Sequence, residues 1–213
     1  MSDYLEQSLA KLKYFEGCVP WMYRDTVGRV TVGVGLMLPD ASAAAALPFA
    51  VDGRTATAQE IAAEFSRVHG LAMGHLPSFY KAASAMELSE STIDAKLSAV
   101  LNGFEGELRK RLPHYDGLPY GVKLAVLDMT YNLGPAGLLK DFPHFVAAVE
   151  DGSWTQAAAL CMRRGPSAER NAWTREQLLS AVGTTIKAEA ESWWMRLWHW
   201  IRLTLQRLLG GRA

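Results

Sequence analysis

The chain has little cysteine, no excess of charge of either sign and no long apolar run. Its two cysteines, Cys18 and Cys161, are far apart in sequence and form no CxxC pair. The sequence therefore indicates neither a disulfide framework nor a zinc site, and we expect two free, buried thiols. The 22 Lys and Arg residues balance 22 Asp and Glu residues. This balance argues against a nucleic-acid-binding protein, which normally carries a broad positive field.

The sequence also lacks the features of exported and membrane-spanning chains. Its first residues are acidic where a signal peptide is basic, and no apolar segment follows them. We therefore expect synthesis in the cytoplasm without a signal peptide. No run of about 18 uncharged apolar residues occurs, which argues against a transmembrane helix. With 213 residues, of which 49% are hydrophobic, the chain can bury the core of one globular domain with an appendage.

Hydrophobic periodicity predicts a small β-hairpin beside a predominantly helical body, an α+β fold. Apolar residues at helical spacing predict a first helix that ends at Glu16. Alternation of Val with Thr and Gly over residues 22–34 predicts a hairpin with its turn at residues 26–28. Capping-box patterns at Thr57 and Ser153 open two later helices. Two further helices are expected at 90–112 and 121–132, and a long surface connection without periodicity at 39–56.

The first predicted helix and the hairpin bring together residues that suit acid catalysis. Glu16 lies at the end of the helix, where the negative end of the macrodipole disfavours an ionised carboxylate. A protonated carboxyl can deliver its proton to a leaving oxygen. Asp25, at the start of the hairpin, can stay ionised on the other side of a substrate, and Thr31 can hold a water beside it. Gly33 leaves room for a sugar to approach the backbone. Glycoside hydrolysis uses two carboxyl groups, of which one is protonated and the other ionised.

The spacing of these residues carries more information than their types. Eight residues separate Glu16 from Asp25, five separate Asp25 from Thr31, and the sequence VGVG follows. This pattern resembles the catalytic Glu/Asp/Thr signature of the phage-type lysozymes, the endolysin family of muramidases. Residues 127–134, LDMTYNLG, are similar to the central-helix motif that borders the family's saccharide cleft. Arg170 stands near the place of the family's arginine that contacts the catalytic glutamate, with Arg175 as an alternative.

The resemblance implies a lysozyme-like fold, with a cleft between the hairpin lobe and the helical body. It implies cleavage of the β-1,4 bond between N-acetylmuramic acid and N-acetylglucosamine in peptidoglycan. Glu16 would be the acid, while Asp25 and Thr31 would position the attacking water, without a metal or an organic cofactor. The expected substrate-binding residues are Gly33, Tyr131, Asn132 and Arg170. The chain departs from many family members in having Leu36, where they have His, and the long 39–56 segment after it.

Other functions fit parts of the same pattern. A lytic transglycosylase acts on the same polymer with a single glutamate and leaves an anhydro sugar, so Asp25 and Thr31 favour hydrolysis. A membrane-active or wall-binding protein would use the lysozyme-like body only for targeting. Among hydrolases, a phage endolysin and a secreted antibacterial effector share one chemistry. They reach the cell wall in the periplasm through a holin-type pore or through a dedicated secretion machine.

The last part of the chain differs in composition from the rest. Residues 191–213 contain four Arg and one Glu, together with four of the seven tryptophans. At helical spacing the Trp and Leu side chains fall on one face and the Arg side chains on the other. We expect a catalytic domain over residues 1–185 and an amphipathic helix over 186–213. Residues 191–209 would dock on the body, bind an anionic membrane or lipopolysaccharide, or bind a protein such as an inhibitor or immunity protein.

Overall fold

The computed structural model describes residues 3–183, which form a predominantly helical α+β structure with 64% helix and 9% strand. The predicted fold class is therefore confirmed. The chain divides into two compact units, with the boundary after Lys110, inside the segment predicted as one domain. The predicted amphipathic helix over 186–213, including residues 191–209, lies outside the described residues. Within residues 3–183, no helix has the length and apolar character needed to cross a bilayer.

A helix and a small antiparallel sheet begin the first unit. Helix α1 ends at Glu16 as predicted, and Gly17 follows it with φ at +78°. The sheet has the strand order β1-β2-β3 and contains the predicted hairpin. The alternation does not predict β3, because a strand of two residues is too short to show a period. The elements are α1 (Asp3–Glu16), β1 (Val19–Arg24), β2 (Val30–Gly33) and β3 (Leu36–Met37).

The segment 39–56 is not the surface connection that its sequence predicts. Ala44 and Phe49 are fully buried and Leu47 is 6% exposed. Asp40 caps the first helix of the segment by accepting a hydrogen bond from the N–H of Ala43 at 2.8 Å. The prediction was wrong because small alanines bury without the spaced large apolar residues that reveal a period. The segment forms α2 (Ala41–Ala45), β4 (Ala50–Val51) and β5 (Arg54–Thr55).

Three further helices complete the first unit. The capping box at Thr57 is formed, because its hydroxyl accepts from the N–H of Glu60 and the Glu60 carboxylate accepts from the N–H of Thr57. The last helix, α5, matches the predicted 90–112 segment and crosses the boundary between the units by one residue. The helices are α3 (Ala58–His69), α4 (Pro77–Tyr80), which continues into a 3-10 turn (Lys81–Ala83), and α5 (Glu90–Arg111).

The second unit is helical and has the predicted buried helix near its start. Leu124 and Leu127 of α6 are at most 1% exposed, as the uncharged 121–132 segment predicts. This helix breaks at Gly134, where φ is 72° and ψ is 158°. Ser153 precedes α8 but makes no side-chain cap, so the capping-box prediction there was wrong. The helices are α6 (Tyr120–Asp141), α7 (Pro143–Glu150), α8 (Trp154–Leu160) and α9 (residues 168–183).

The two cysteines are free, and their environments differ. Cys161 is buried, as predicted, and burial raises the pKa of its thiol. Cys18 is exposed, which contradicts the prediction of a buried thiol. Cys18 lies in the short link between α1 and β1 and so belongs to neither element.

Candidate functional site

Glu16 is exposed at the last position of α1. One turn earlier, the Lys13 ammonium contacts Asp94 at 2.8 Å and Glu90 at 2.5 Å, both on α5. The hydrogen bonds to Asp94 and Glu90 raise the pKa of Lys13, so the lysine stays charged at every physiological pH. These ion pairs hold the last turn of α1 against the start of α5, which gives Glu16 a defined place on the first unit.

Asp25 directly follows β1 and shapes the turn of the hairpin. Its Oδ1 atom accepts hydrogen bonds from the N–H groups of Val27 at 3.0 Å and Arg29 at 2.8 Å. Within residues 3–183, no group donates a hydrogen bond to the other carboxylate oxygen, Oδ2. Asp25 is half-buried. One of its oxygens is therefore committed to the turn, and the other is available to a ligand or a water.

Thr31 lies on β2, directly opposite Tyr23 of β1. Residues that are opposite on antiparallel strands project from the same face of the sheet, so these two side chains are neighbours. Thr31 is 3% exposed, and its hydroxyl donates a hydrogen bond to the carbonyl of Arg29 at 3.3 Å. Because that bond uses the one proton of the hydroxyl, Thr31 can offer only its lone pairs to a further partner.

Packing against α5 explains why residue 33 is a glycine. Its φ is +66°, and an added Cβ would come within 3.1 Å of Cγ2 of Ile93. The sequence predicted that glycine leaves room for a sugar at this position, but Ile93 occupies that side of the backbone. Packing of Ile93 accounts for the glycine, and the contact of Gly33 with a saccharide stays a prediction.

The first turns of α5 connect the two parts of the candidate site. Ile93 packs on Gly33, while Asp94 and Glu90 bind Lys13 of α1. Thr31 lies two residues before Gly33 on the same strand and therefore on the same face. The end of α1 and this face of the hairpin are thus held against one short stretch of one helix, which places Glu16 near the hairpin.

Tyr23 is a residue of this site that the sequence analysis missed. Burial raises the pKa of its phenol, and the charges of Asp25 and then Glu16 raise it further. Asp25 directly follows the strand that carries Tyr23, and Glu16 ends the helix whose last turn is tied to α5, on which the hairpin packs. The available signal was an aromatic residue on the hairpin strand, two positions before Asp25. Aromatic residues in a strand, here Trp21 and Tyr23, are more often packing residues, so this signal was too weak to use.

The other predicted site residues belong to the second unit. Tyr131 is half-buried and Asn132 is exposed, both just before the break of α6 at Gly134. Arg170 is 4% exposed, and its Nε donates a hydrogen bond to Oδ1 of Asp128 at 2.7 Å. The alternative Arg175 is exposed.

Asp128 is the centre of a buried polar cluster that includes Arg170. Its Oδ2 accepts hydrogen bonds from Nη2 of Arg163 at 2.6 Å and from the hydroxyl of Thr174 at 2.7 Å. Asp128, Arg163 and Arg170 are each at most 4% exposed. The contact observed for Arg170 is therefore one that fastens α9 to α6. We assign it this supporting role in place of the predicted direct contact with a saccharide.

The first unit thus holds the end of α1, with Glu16, and the hairpin, with Asp25 and Thr31, on the same helix α5, and both carboxylates oppose ionisation of the Tyr23 phenol. One carboxyl group can give a proton to a leaving oxygen while the other takes one from a water. In the part of the chain that the structure describes, no three His, Cys, Asp or Glu side chains gather as metal ligands would. Comparison of the sequence with models of known protein families gives no match, and comparison with curated proteins gives none either.

Proposed function

We propose that this chain is a peptidoglycan hydrolase of the muramidase type, with a lysozyme-like arrangement of its acidic residues. It would cleave the β-1,4 bond between N-acetylmuramic acid and N-acetylglucosamine. The observation that carries this proposal is that the first turns of α5 hold both the last turn of α1, which ends at Glu16, and the hairpin of Asp25 and Thr31. A pair of carboxyl groups on either side of a glycosidic bond is sufficient for its hydrolysis.

Glu16 is the proton donor in this proposal. It is exposed at a helix end, so its carboxyl can reach a glycosidic oxygen in a polymer too large to enter a closed pocket. Lys13, held by Asp94 and Glu90, limits the movement of the turn that carries Glu16. A general acid that is held in place in this way contributes about 100-fold to 10,000-fold to the rate of bond cleavage.

Asp25 and Thr31 hold the attacking water. Oδ2 of Asp25 has no partner within the described residues. The Thr31 hydroxyl can only accept a further hydrogen bond, because it already donates its proton to the carbonyl oxygen of Arg29. A water between them donates one hydrogen to each and directs a lone pair away from both. In the reaction, the Glu16 proton goes to the leaving oxygen and a water proton goes to Asp25. The anomeric carbon loses its glycosidic bond and gains a hydroxyl group.

The proposed substrate determines the compartment in which this enzyme would act. Peptidoglycan lies in the periplasm, which a chain made in the cytoplasm would reach by holin-type release as an endolysin, or by dedicated secretion as an antibacterial effector. We propose an inhibitor or immunity protein as a further partner for the effector. We also propose contact of residues 191–209 with an anionic membrane or lipopolysaccharide.

The experiment is a digest of purified peptidoglycan with matched variants of exposed glutamates on α1. Glu16→Gln should lower the rate of muropeptide release by at least about 100-fold, whereas Glu6→Gln, on the same helix and also exposed, should leave it unchanged. Full activity of Glu16→Gln would refute the proposed role of Glu16. Full-length protein and protein truncated after Glu189 should release muropeptides equally from purified wall, because the tail is proposed to act at membranes.

Two variants of Asp25 distinguish its hydrogen bonds in the turn from the role of its charge as a base. In Asp25→Asn the amide oxygen still accepts from Val27 and Arg29, so the turn is kept while the base is lost. Asp25→Ala removes both. We expect Asp25→Asn to fold with the thermal stability of the parent chain and to lose at least about 100-fold in rate. Unchanged activity of Asp25→Asn would leave Asp25 as a turn residue only.

A further inference from the structure

The hydroxyl of Tyr23 has no hydrogen-bond partner among residues 3–183. The residue is half-buried, and a phenol in such a position normally uses its hydroxyl on a protein group or a water. Tyr80, in the same unit, shows the usual case, because its hydroxyl donates to the carbonyl of Ala72 at 2.8 Å. The polar end of Tyr23 is therefore available to a molecule that binds at this face.

The neighbours of Tyr23 on β1 are satisfied by the protein itself. Met22 is fully buried in the core. The indole Nε1 of Trp21 donates to the carbonyl of Pro77 at 3.0 Å. Packing thus accounts for Met22 and an internal hydrogen bond for Trp21, whereas the hydroxyl of Tyr23 has no such partner within residues 3–183.

The surroundings of Tyr23 keep its hydroxyl protonated. The half-buried ring and the charges of Asp25 and Glu16 all oppose loss of the phenol proton. A neutral phenol is a hydrogen-bond donor. Thr31 lies opposite Tyr23 on the sheet. Its hydroxyl already donates to the carbonyl oxygen of Arg29 and can only accept a further hydrogen bond. Of these two opposing side chains, Tyr23 is the one that can donate to a ligand.

We propose that the hydroxyl of Tyr23 donates a hydrogen bond to an oxygen of the saccharide bound between Glu16 and Asp25. This inference rests on the proposed function and adds a fourth residue, after Glu16, Asp25 and Thr31, to the same site. The acceptor is a sugar hydroxyl or the carbonyl of an N-acetyl group, the two kinds of oxygen that an N-acetylated saccharide presents most often. Tyr23 is in this proposal a substrate-contacting residue, which fixes the sugar relative to the two carboxyl groups.

The test compares Tyr23→Phe with Tyr80→Phe in the full chain. Both variants keep the ring and remove one hydroxyl, but the Tyr80 hydroxyl has a partner within the protein. Binding of the N-acetylglucosamine tetramer is measured by calorimetry in a Glu16→Gln background, so that no cleavage occurs. We expect Tyr23→Phe to weaken binding about tenfold, and Tyr80→Phe to lower the melting temperature without a change in affinity. Measurements are made well below the melting temperature of every variant.

Activity provides the second measurement. On purified peptidoglycan, Tyr23→Phe should lower kcat/KM by about tenfold, while Glu16→Gln lowers it far more. Equal affinity and equal kcat/KM for Tyr23→Phe and the parent chain would overturn the role of Tyr23 and leave the roles of Glu16 and Asp25 standing. Cleavage by Glu16→Gln at the parent rate would overturn the proposed function, whatever Tyr23→Phe does to binding of the tetramer.

Discussion

The Nζ atom of Lys13 lies 2.8 Å from Oδ1 of Asp94 and thereby ties the end of α1 to the start of α5. The Lys13 side chain is 18% exposed, whereas that of its other partner, Glu90, is 76% exposed. We expect Lys13→Met to lower the free energy of unfolding by about 1 kcal/mol, and Glu90→Gln to change it by less than about 0.5 kcal/mol. Urea denaturation measures both. Equal losses in the two variants would contradict a structural role for the Lys13–Asp94 pair.

The contact between Gly33 and Ile93 predicts a large cost for one added methyl group. Gly33→Ala adds both an unfavourable positive φ and a clash with Ile93, so we expect a loss of about 3 kcal/mol of unfolding free energy. Gly53 is the matched control, because its φ is +76° and an added Cβ would have nothing within 4 Å. Gly53→Ala should cost only the backbone part, about 1 kcal/mol. Chemical denaturation that finds equal costs would argue against tight packing of α5 on β2.

The buried cluster around Asp128 predicts a larger loss of unfolding free energy when its central carboxylate is replaced. Asp128→Asn leaves the buried guanidinium groups of Arg163 and Arg170 without a neutralising charge, which should cost about 3–5 kcal/mol. Arg175→Gln removes an exposed charge from the same helix as Arg170 and should change the free energy of unfolding by less than about 0.5 kcal/mol. Both values come from urea titrations. A loss below about 1 kcal/mol for Asp128→Asn would show that this cluster does not hold α6 and α9 together.

The phenol of Tyr23 predicts a specific alkaline titration. Because burial, Asp25 and Glu16 raise its pKa in the folded chain, folding favours the protonated phenol. This contribution to stability is complete below the unfolded pKa of about 10 and is lost as the pH rises through the folded value. NMR of chains with labelled tyrosine follows the titration, and the absence of one signal in Tyr23→Phe assigns it. Asp25→Asn and Glu16→Gln should each lower the midpoint, and no change in either variant would contradict the proximity of these residues.

Local patterns in the sequence were sufficient to predict most of the helices and strands. The end of α1 at Glu16, the hairpin and α5 follow from apolar spacing, alternation and length, which each element carries within itself. The capping box at Thr57 formed, but that at Ser153 did not. A capping pattern states only that the cap is possible, and the path of the chain before the helix decides whether it forms.

Contacts between distant parts of the chain were not accessible from the sequence. Glu64 is fully buried and accepts hydrogen bonds from Ser84 at 2.7 Å and from the N–H of Ala85 at 3.0 Å, 20 and 21 residues later. A carboxylate at that position looks like a surface charge in a sequence. The roles of Gly33, against Ile93, and of Arg170, on Asp128, have the same origin. Each depends on a partner that only the folded chain brings near.

The places of Glu16 and Asp25 in the fold were predictable from the sequence, whereas their surroundings were not. Glu16 and Asp25 stand at the ends of elements that periodicity and alternation identify, so their exposure to a ligand followed from their positions. Tyr23 gave only a weak signal, because its importance comes from the charges of Asp25 and Glu16 and from its pairing with Thr31.

Digestion of purified peptidoglycan in water labelled with oxygen-18 tests the central proposal most directly. If Glu16 donates a proton and Asp25 directs a water, the released fragments end in reducing N-acetylmuramic acid that contains one labelled oxygen, and the Glu16→Gln variant releases none. Mass spectrometry of the fragments measures both. Fragments that end in unlabelled anhydro sugars would assign a transglycosylase and contradict the role of water, and labelled fragments released by Glu16→Gln at the parent rate would contradict the role of Glu16.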